Sequence, residues 1–321
     1  MNRLYRVRHP ECYQSAGTRR PFFEGWFFKI EDTFGQNVLS LIPGVSRQDK
    51  REPTRPFIQG IAGDRSFYIP FEPGTFSYRQ RPFEIKIGPN RFSLTEMHLD
   101  LSDTVKLAGT LYFSGCTPLQ TSLLSPGIMG PLSYLPCMEC RHGLLCLHAD
   151  VTGDLSLGGQ DISYSQGRAY MEKDWGHSFP RSYLWVQSNR FSQTGASFVC
   201  AAATVPYLGR HFTGIFAVLH TPDKQYRIAT YNGGRLVDLQ QTRRGVFLHM
   251  ANYRCRLSVT AEAAPGTTLK APAKGDMSRT ITETLKAETH VSLTDTRGRV
   301  LFQDTGQNSG LEICEPLPYP L

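Results

Sequence analysis

The sequence predicts an all-β protein built from two tandem antiparallel β-barrels or sandwiches. Short segments in which apolar and polar residues alternate recur along the 321-residue chain, and turn-forming residues separate them. The chain contains 29 glycines and 21 prolines, which suits a fold with many turns. Capped, helix-period patterns are almost absent. We therefore expect antiparallel sheets and not helical or α/β layers.

The individual strands follow from period-2 alternation bounded by turn signals. In the first part of the chain they are predicted at residues 26–30, 38–42, 66–69, 83–87 and 91–95. Later strands are predicted at residues 197–200, 216–219 and 226–229. One segment, residues 280–288, could pass as a helix, but its threonines favour a strand.

A weak internal repeat divides the chain into two halves. The segment that begins at Trp26 recurs at Trp185, and residues 83–87 correspond to residues 246–250. Ala-Tyr-Met-Glu at 169–172 is echoed by Ser-Gly-Leu-Glu at the end of the second half. This repeat predicts two domains of similar build, at residues 1–179 and 180–321.

Composition and charge restrict the class of protein. Hydrophobic residues make up 40% and charged residues 20% of the chain, which argues against disorder. The sequence has no apolar run of about 18 residues, so no transmembrane helix is predicted. The N-terminus lacks the apolar core of a secretory signal. We therefore expect a cytoplasmic protein. The net charge of +7 is scattered and no nucleic-acid motif is present, so nucleic acid is not an expected partner; transient docking on anionic lipid and an ordinary solvated surface both fit.

Eight cysteines raise the question of a metal site. Cys137 and Cys140 have the C-x-x-C spacing of a zinc half-site, but no second pair closes it. On a regular strand four sulfur and imidazole side chains would share one face, namely Cys140, His142, Cys146 and His148. We expect buried free cysteines and no bound metal.

The densest chemistry lies at residues 167–189, where carboxylates, a histidine and two indoles alternate. Glu172 and Asp174 are two positions apart, so on an extended strand they share a face and Lys173 points the other way. Two close carboxyl groups raise the pKa of one of them. The structural alternative for these carboxylates, and equally for Glu139 and Glu24, is a salt bridge to Lys173, Arg168 or Arg181.

Three blocks resemble the tocopherol cyclase family: PFFEGWFFKI at residues 21–30, PCMECRHG at residues 136–143, and the block at 167–189. They occur in the order found in that family. The resemblance implies a lipocalin-like double-barrel fold, akin to carotenoid hydratases. It also implies an enzyme that closes a prenylated hydroquinone to a chromanol without a redox cofactor or metal.

The implied reaction begins with protonation of an alkene, which is a feeble base. It therefore needs an acid held protonated in an apolar pocket from which water is excluded. Aromatic faces stabilise the resulting cation, and a base takes the phenolic proton. We expect the catalytic residues to be Glu172, Asp174, Glu139 and His177, with Glu172 as the first choice for the acid.

Further side chains are expected to bind the substrate because they lie in or near the resembling blocks. They are Glu24, Trp26, His142, His148, Trp175, Trp185, Gln187 and Asn189. A structural alternative stays open for these side chains: core packing for the indoles and histidines, and an internal hydrogen-bond network for the two amides. We expect the site in or near the N-terminal barrel, with Trp175 close to Trp26.

Three functions remain in play at this point. The first is an acid-catalysed, cofactor-independent cyclase that acts on a hydrophobic prenylated quinol or a related terpenoid. The second is a non-catalytic lipocalin-like carrier of prenyl-quinones or other hydrophobic ligands. The third is an alkene hydratase or a pericyclic cyclase on the same scaffold. The density of carboxylates and aromatics around Glu172 favours an enzyme over a carrier.

Overall fold

The computed structural model describes residues 3–103, 105–136, 138–242 and 245–317. In these ranges the chain is almost entirely β, with 22 strands, one helix of six residues, α1 (Arg3–Arg8), and two short 3-10 helices at Gly130–Tyr134 and Thr230–Asn232. The prediction of an all-β protein is confirmed. No helix among the described residues has the length and apolar character needed to cross a membrane.

The first sheet contains twelve antiparallel strands. They are β1 (Phe22–Glu31), β2 (Val38–Arg47), β3 (Arg55–Ala62), β4 (Arg65–Pro70), β5 (Phe76–Gln80), β6 (Phe83–Ile87), β7 (Asn90–Ser93), β8 (Glu96–Leu101), β9 (Leu107–Thr117), β10 (Cys140–Leu157), β11 (Gln160–Ser163) and β12 (Gly167–Gly176). Their order is β4-β3-β2-β1-β12-β10-β9-β8-β7-β6-β5, and β11 pairs with β10. Most neighbours are successive hairpins, whereas β1 and β12 join the two ends of this part of the chain.

The second sheet contains ten strands. They are β13 (Tyr183–Ser188), β14 (Ser197–Tyr207), β15 (Arg210–His220), β16 (Gln225–Ala229), β17 (Arg235–Thr242), β18 (Gly245–Ala251), β19 (Cys255–Glu262), β20 (Thr267–Ala273), β21 (Asp276–Asp295) and β22 (Val300–Cys314). Their order is β16-β15-β14-β13-β22-β21-β19-β18-β17, and β20 pairs with β21. Residues 280–288 lie in β21, as their threonines indicated.

The two sheets share their connectivity around the first and last strands, in agreement with the internal repeat, although the first sheet has twelve strands and the second has ten. In each sheet four consecutive strands lead from the first strand to one edge, and the last strand pairs with the first. The register corrects the alignment of the repeat by one residue: Glu172 lies opposite Phe27, and Glu312 lies opposite Trp185. Trp185 therefore corresponds to Phe27 and not to Trp26. A shift of one residue in a strand moves a side chain to the other face of the sheet.

The chain divides into two compact units. The first comprises Met1–Ile128, Cys140–Phe179 and Leu269–Thr280, and the second comprises Met129–Glu139, Pro180–Thr268 and Ile281–Leu321. The expected domains, 1–179 and 180–321, meet at the same junction and differ from these units at residues 129–139 and 269–280. The latter segment is the tip of the β20–β21 hairpin, which completes the first unit.

Alternation along β1 builds the hydrophobic core of the first unit. Phe22, Trp26, Phe28 and Ile30 lie two or four residues apart and are all buried in that core. Met171 lies directly opposite Phe28 on β12 and is buried in the same core. The odd-numbered side chains of β1 therefore point to the other face of the sheet, whereas Glu24, at an even position, shares the core-facing side.

Strand β10 is irregular, and this corrects the expected common face of its cysteines and histidines. The register shifts between Leu144 and Cys146, so Cys146 lies opposite Met171 and faces the core, whereas His142 lies opposite Asp174 on the other face. Cys146 forms a disulfide with Cys116 and is not the free thiol that was expected. Cys137 lies outside the described residues.

A buried amide is one of the groups that hold the hairpin tip in the first unit. Gln59 on β3 is 3% exposed; its Nε2 donates to the Lys270 carbonyl at 2.9 Å, and its Oε1 accepts from the Lys270 amide at 3.1 Å. We predict that Gln59→Leu lowers the free energy of unfolding by about 1–3 kcal/mol, because both backbone groups lose a partner. Urea unfolding measures this. The exposed Gln36→Leu is the matched control, and equal effects of the two changes would contradict the prediction.

Candidate active site

The residues of the candidate site lie on β1, β12 and β10, which are adjacent in the middle of the first sheet. Asp174 lies directly opposite Gly25 on one side and His142 on the other, and Glu172 lies opposite Phe27. Directly opposed residues of antiparallel strands share a face. The register alone therefore brings one imidazole and two carboxylates to the face of this sheet opposite its hydrophobic core.

Within this group the His142 ring lies between the two carboxylates. Its Nδ1 is 2.9 Å from Asp174 Oδ1, and its Nε2 is 3.3 Å from Glu172 Oε2. The hydroxyl of Tyr170 donates to the same Glu172 oxygen at 2.5 Å, and the Cys140 thiol donates to Asp174 Oδ1 at 3.8 Å. We call His142, Glu172, Asp174 and Tyr170 the His142 cluster.

Two pKa values in the His142 cluster are strongly perturbed. Burial lowers the pKa of His142, but Glu172 and Asp174 together raise it by more, so the net value is well above 6.5. At neutral pH the ring is therefore an imidazolium that donates a hydrogen bond from Nδ1 to Asp174 and forms an ion pair with Glu172 through Nε2. Burial raises the pKa of Tyr170 well above 10, and Glu172 raises it further, so this residue remains a phenol donor.

The arrangement can hold and move a proton. A protonated histidine ring that lies between two carboxylates can give its Nε2 proton to one of them and take a proton back at the same nitrogen, while Nδ1 keeps its proton on the other. The Tyr170 hydroxyl stabilises the carboxylate form of Glu172 after a proton has left. The cluster is thus an acid and a base connected by one ring.

The same side chains offer ligand atoms to a metal. One atom each from His142, Glu172 and Asp174 lies within 4.8 Å of the others. Metal binding requires a neutral imidazole nitrogen, and a ring whose pKa is raised well above 6.5 holds its proton against the metal. The absence of a bound metal stays a prediction from the sequence.

Lys173 lies between Glu172 and Asp174 on β12, and its side chain points to the interior face of the sheet, which is the face that carries the hydrophobic core. Lys173 lies 2.6 Å from the Glu24 carboxylate, and both side chains are fully buried. Its ammonium also lies over the Trp26 ring at 4.3 Å and the Trp175 ring at 5.2 Å. Trp26 and Trp175 are therefore close together, around a buried ion pair and on the face opposite the His142 cluster.

This ion pair holds the N-terminal segment. Glu24 accepts hydrogen bonds from the backbone amides of Gln14 and Ser15, and Lys173 donates to the Cys12 carbonyl at 2.6 Å. Burial lowers the pKa of Lys173, an effect that Glu24 opposes. For Glu24, the salt bridge considered as the structural alternative is what the structure contains.

Sequence reasoning missed several residues on the face of the His142 cluster. Tyr170 could have been found, because it precedes Glu172 by two positions and so shares its face. Lys29 and Glu31 of β1 form a second fully buried ion pair at 2.9 Å, and Lys29 lies opposite Tyr170 in the register. Charged residues inside an otherwise apolar strand were the signal. Phe27 packs edge-on to Tyr170, with ring centroids 6.5 Å apart.

Three other predicted residues lie elsewhere. His177 follows the end of β12, is exposed, and has its Nδ1 3.1 Å from the Ser178 hydroxyl. His148 lies 3.7 Å from the exposed carboxylate of Asp150. Glu139 is half-buried and belongs to the second unit. Among the described histidines, His142 and not His177 contacts the predicted carboxylates.

The remaining predicted residues belong to the second unit. Trp185, Gln187 and Asn189 are all buried, and Trp185 lies between two residues of the core, on the opposite face of β13. It is directly opposite Glu312, whose Oε2 accepts a hydrogen bond from the Tyr183 hydroxyl at 2.6 Å. The second unit thus repeats the tyrosine–glutamate pair of the first.

Comparison with known families gives a consistent match. A family model described as tocopherol cyclase-like matches residues 121–315. A probable chloroplastic tocopherol cyclase of Oryza sativa subsp. japonica is 33% identical over 75 residues, which cover 23% of this chain and 16% of the rice protein. The chloroplastic tocopherol cyclase of Zea mays is 22% identical over 60% of this chain and 51% of the maize protein. The chain thus spans at most about half the length of these curated relatives.

Solved structures share the fold across both units. CghA with Sch210972 has a TM-score of 0.58 at 11% identity, covering 91% of this chain and 88% of that chain. Kievitone hydratase from Nectria haematococca has a TM-score of 0.51 at 10% identity, covering 95% of this chain and 92% of that chain. A putative AttH from Nitrosomonas europaea has a TM-score of 0.52 at 10% identity, covering 95% of this chain and 95% of that chain. The predicted lipocalin-like double-barrel fold is confirmed.

The buried ion pair on the interior face provides a stability test. Lys173→Met leaves the Glu24 carboxylate buried without its cation. We predict a loss of about 3–5 kcal/mol in the free energy of unfolding. Urea unfolding of Lys173→Met and of the exposed control Lys50→Met measures it. A loss below about 1 kcal/mol for Lys173→Met would contradict the prediction, because a contribution of that size is typical of an exposed surface ion pair.

The raised pKa of His142 predicts how stability depends on pH. The folded ring holds its proton more tightly than an unfolded ring with a pKa of 6.5, so its stabilising contribution is complete below about pH 6.5. That contribution is lost as the pH rises through the raised folded pKa. The free energy of unfolding of the native protein relative to His142→Gln should therefore decrease with rising pH. A pH-independent difference, as expected for the exposed control His211→Gln, would contradict this.

Proposed function

The chain belongs to the tocopherol cyclase-like family, and on this basis we propose that it is an enzyme that protonates an alkene at the His142 cluster. The observation that carries the proposal is the His142 ring between Glu172 and Asp174, at 3.3 Å and 2.9 Å. The proposed substrate is a prenylated hydroquinone or a related terpenoid with a trisubstituted alkene near a phenol.

The proton has a defined route in this proposal. At rest it lies on His142, and it moves from Nε2 to Glu172 to form a neutral carboxylic acid. Glu172 then protonates the alkene, which leaves a tertiary carbocation. The Tyr170 hydroxyl, 2.5 Å from Glu172, stabilises the carboxylate that forms.

Ring closure restores the catalyst. The phenol oxygen attacks the tertiary cation and forms the new C–O bond, and its proton passes to the Glu172 carboxylate. From there it returns to the vacant Nε2 of His142, while Asp174 stays ionised and holds the Nδ1 proton. The proton added to carbon is thereby replaced by the phenolic one, so substrate and product are isomers and no redox cofactor takes part.

The surroundings of the cluster suit a carbocation. Glu172 is 5% exposed and Tyr170 is fully buried, which limits the access of water. The rings of Tyr170 and Phe27 lie on the same face and can stabilise positive charge. Hydration begins with the same protonation and differs only in the nucleophile. A hydrophobic substrate would reach the protein from a lipid surface, a proposal with which the net charge of +7 is compatible.

The role of Glu172 can be tested by an isosteric substitution. We predict that Glu172→Gln lowers the turnover of a prenylated hydroquinone by roughly 10²–10⁴-fold, because one positioned general acid is lost. Asp174→Asn should have a smaller effect, since His142 still contacts Glu172. The exposed Asp161→Asn is the control and should keep full activity. Normal turnover by Glu172→Gln with an unchanged melting temperature would reject Glu172 as the proton donor.

The fate of the proton distinguishes the possible reactions. In D₂O, acid-catalysed cyclisation should leave one deuterium on the former alkene carbon and otherwise give an isomer of the substrate. Hydration would add one water in mass, and a pericyclic closure would incorporate no deuterium at carbon. Binding of the hydroquinone without turnover would identify a carrier and reject the enzymatic proposal.

A further inference from the structure

The first unit contains a cavity that the proposed reaction does not use. Its volume is about 400 Å³, within the range of small-molecule sites. The N-terminal segment, the end of β2, the β2–β3 loop and strand β5 contribute to its lining. The side chains that matter here are Tyr13, Thr18, Arg47, Thr54, Phe76 and Tyr78.

Arg47 brings a positive charge to this cavity without a carboxylate to neutralise it. Its guanidinium donates to the carbonyls of Thr18 and Arg20 and lies over the Phe22 ring. Among the residues that the structure describes, no carboxylate forms an ion pair with Arg47, and its buried Nε has no hydrogen-bond partner there. A cation of this kind at the wall of a cavity favours an anionic ligand.

Three aromatic side chains of the cavity wall provide a surface on which an apolar ring can pack. Tyr13 lies edge-on to Phe76 at 5.2 Å and tilted against Tyr78 at 4.7 Å between ring centroids. Phe76 and Tyr78 are stacked at 6.0 Å. Burial raises the pKa of Tyr13, and Glu24 raises it further, so its phenol stays neutral near any bound anion. Such a group of rings favours a flat, unsaturated ligand.

The cavity wall is fixed before any ligand arrives. The backbone of Tyr13 exchanges two hydrogen bonds with the side chain of Gln80, at 3.1 and 3.0 Å. The adjacent amides of Gln14 and Ser15 donate to the buried Glu24 carboxylate. The segment that carries Tyr13 is thus held on both sides, which reduces the entropy lost on binding.

We propose that this cavity binds a small aromatic carboxylate. The carboxylate lies on the Arg47 guanidinium, and the ring packs against Tyr13, Phe76 and Tyr78. Tyr13 belongs to the core on the interior side of the first sheet, whereas the His142 cluster lies on the other face. The cavity is therefore a separate ligand site, and its occupancy does not depend on the reaction proposed above.

The test is calorimetric titration of the whole protein with 1-naphthoate, its neutral analogue 1-naphthalenemethanol, and inorganic phosphate. We expect saturable binding of naphthoate, with affinity at least about tenfold above that of the alcohol, because a charge-assisted hydrogen bond is lost in the latter. Arg47→Gln should remove this preference. Arg19→Gln, an exposed charge change on the same segment, should not alter it.

A second variant keeps the test decisive if Arg47→Gln disturbs the N-terminal segment. Thr54→Trp fills the cavity and leaves Arg47 and its hydrogen bonds in place, so it should abolish naphthoate binding without lowering the melting temperature. Glu172→Gln should bind naphthoate as the native protein does. No naphthoate binding by the native protein, unchanged binding by Thr54→Trp, or equal affinity for inorganic phosphate would each overturn the proposal.

Discussion

The pairing of β12 with β1 on one side and β10 on the other is the constraint on which the site depends. It joins the first and last strands of the unit, and it sets a register in which Asp174 faces His142 and Lys173 faces Trp26. Because side chains alternate along a strand, three consecutive residues of β12 supply two chemically different faces. One face holds the His142 cluster, and the other holds the ion pair of Lys173 with Glu24.

Charge neutralisation explains why so many ionisable groups are tolerated inside this sheet. Lys173 is matched by Glu24, Lys29 by Glu31, and the His142 ring by two carboxylates. Burial of an isolated charge strongly destabilises the folded state, whereas a charge that is paired and hydrogen-bonded can be buried at a much smaller cost in free energy. The difference lies in the balance: each lysine meets one carboxylate, but His142 meets two. Of these three buried groups, the His142 cluster alone combines a held proton with an excess of carboxylate.

The two units repeat a strand order and a tyrosine–glutamate pair, yet their chemistry differs. Glu172 receives its hydrogen bond from Tyr170 on its own strand, while Glu312 receives one from Tyr183 on the neighbouring strand. Opposite Glu312 the register places Trp185. The equivalent position in the first unit is Phe27. The repeat therefore preserves the framework of the sheet and a carboxylate position, while the residues around that position have diverged.

The sequence by itself determined the all-β class, the tandem repeat, the resemblance to the family, and the shared face of Glu172 and Asp174. These follow from composition and from the two-residue period of a strand, which are local properties. Only the tertiary structure decided that His142 is the histidine between those carboxylates, that Trp26 and Trp175 face Lys173 instead, and that Cys146 turns to the core. Register between distant strands and the irregularity of β10 control these outcomes, and a one-residue shift reverses a face. No local pattern encodes that shift, because it arises from pairing between segments far apart in the chain.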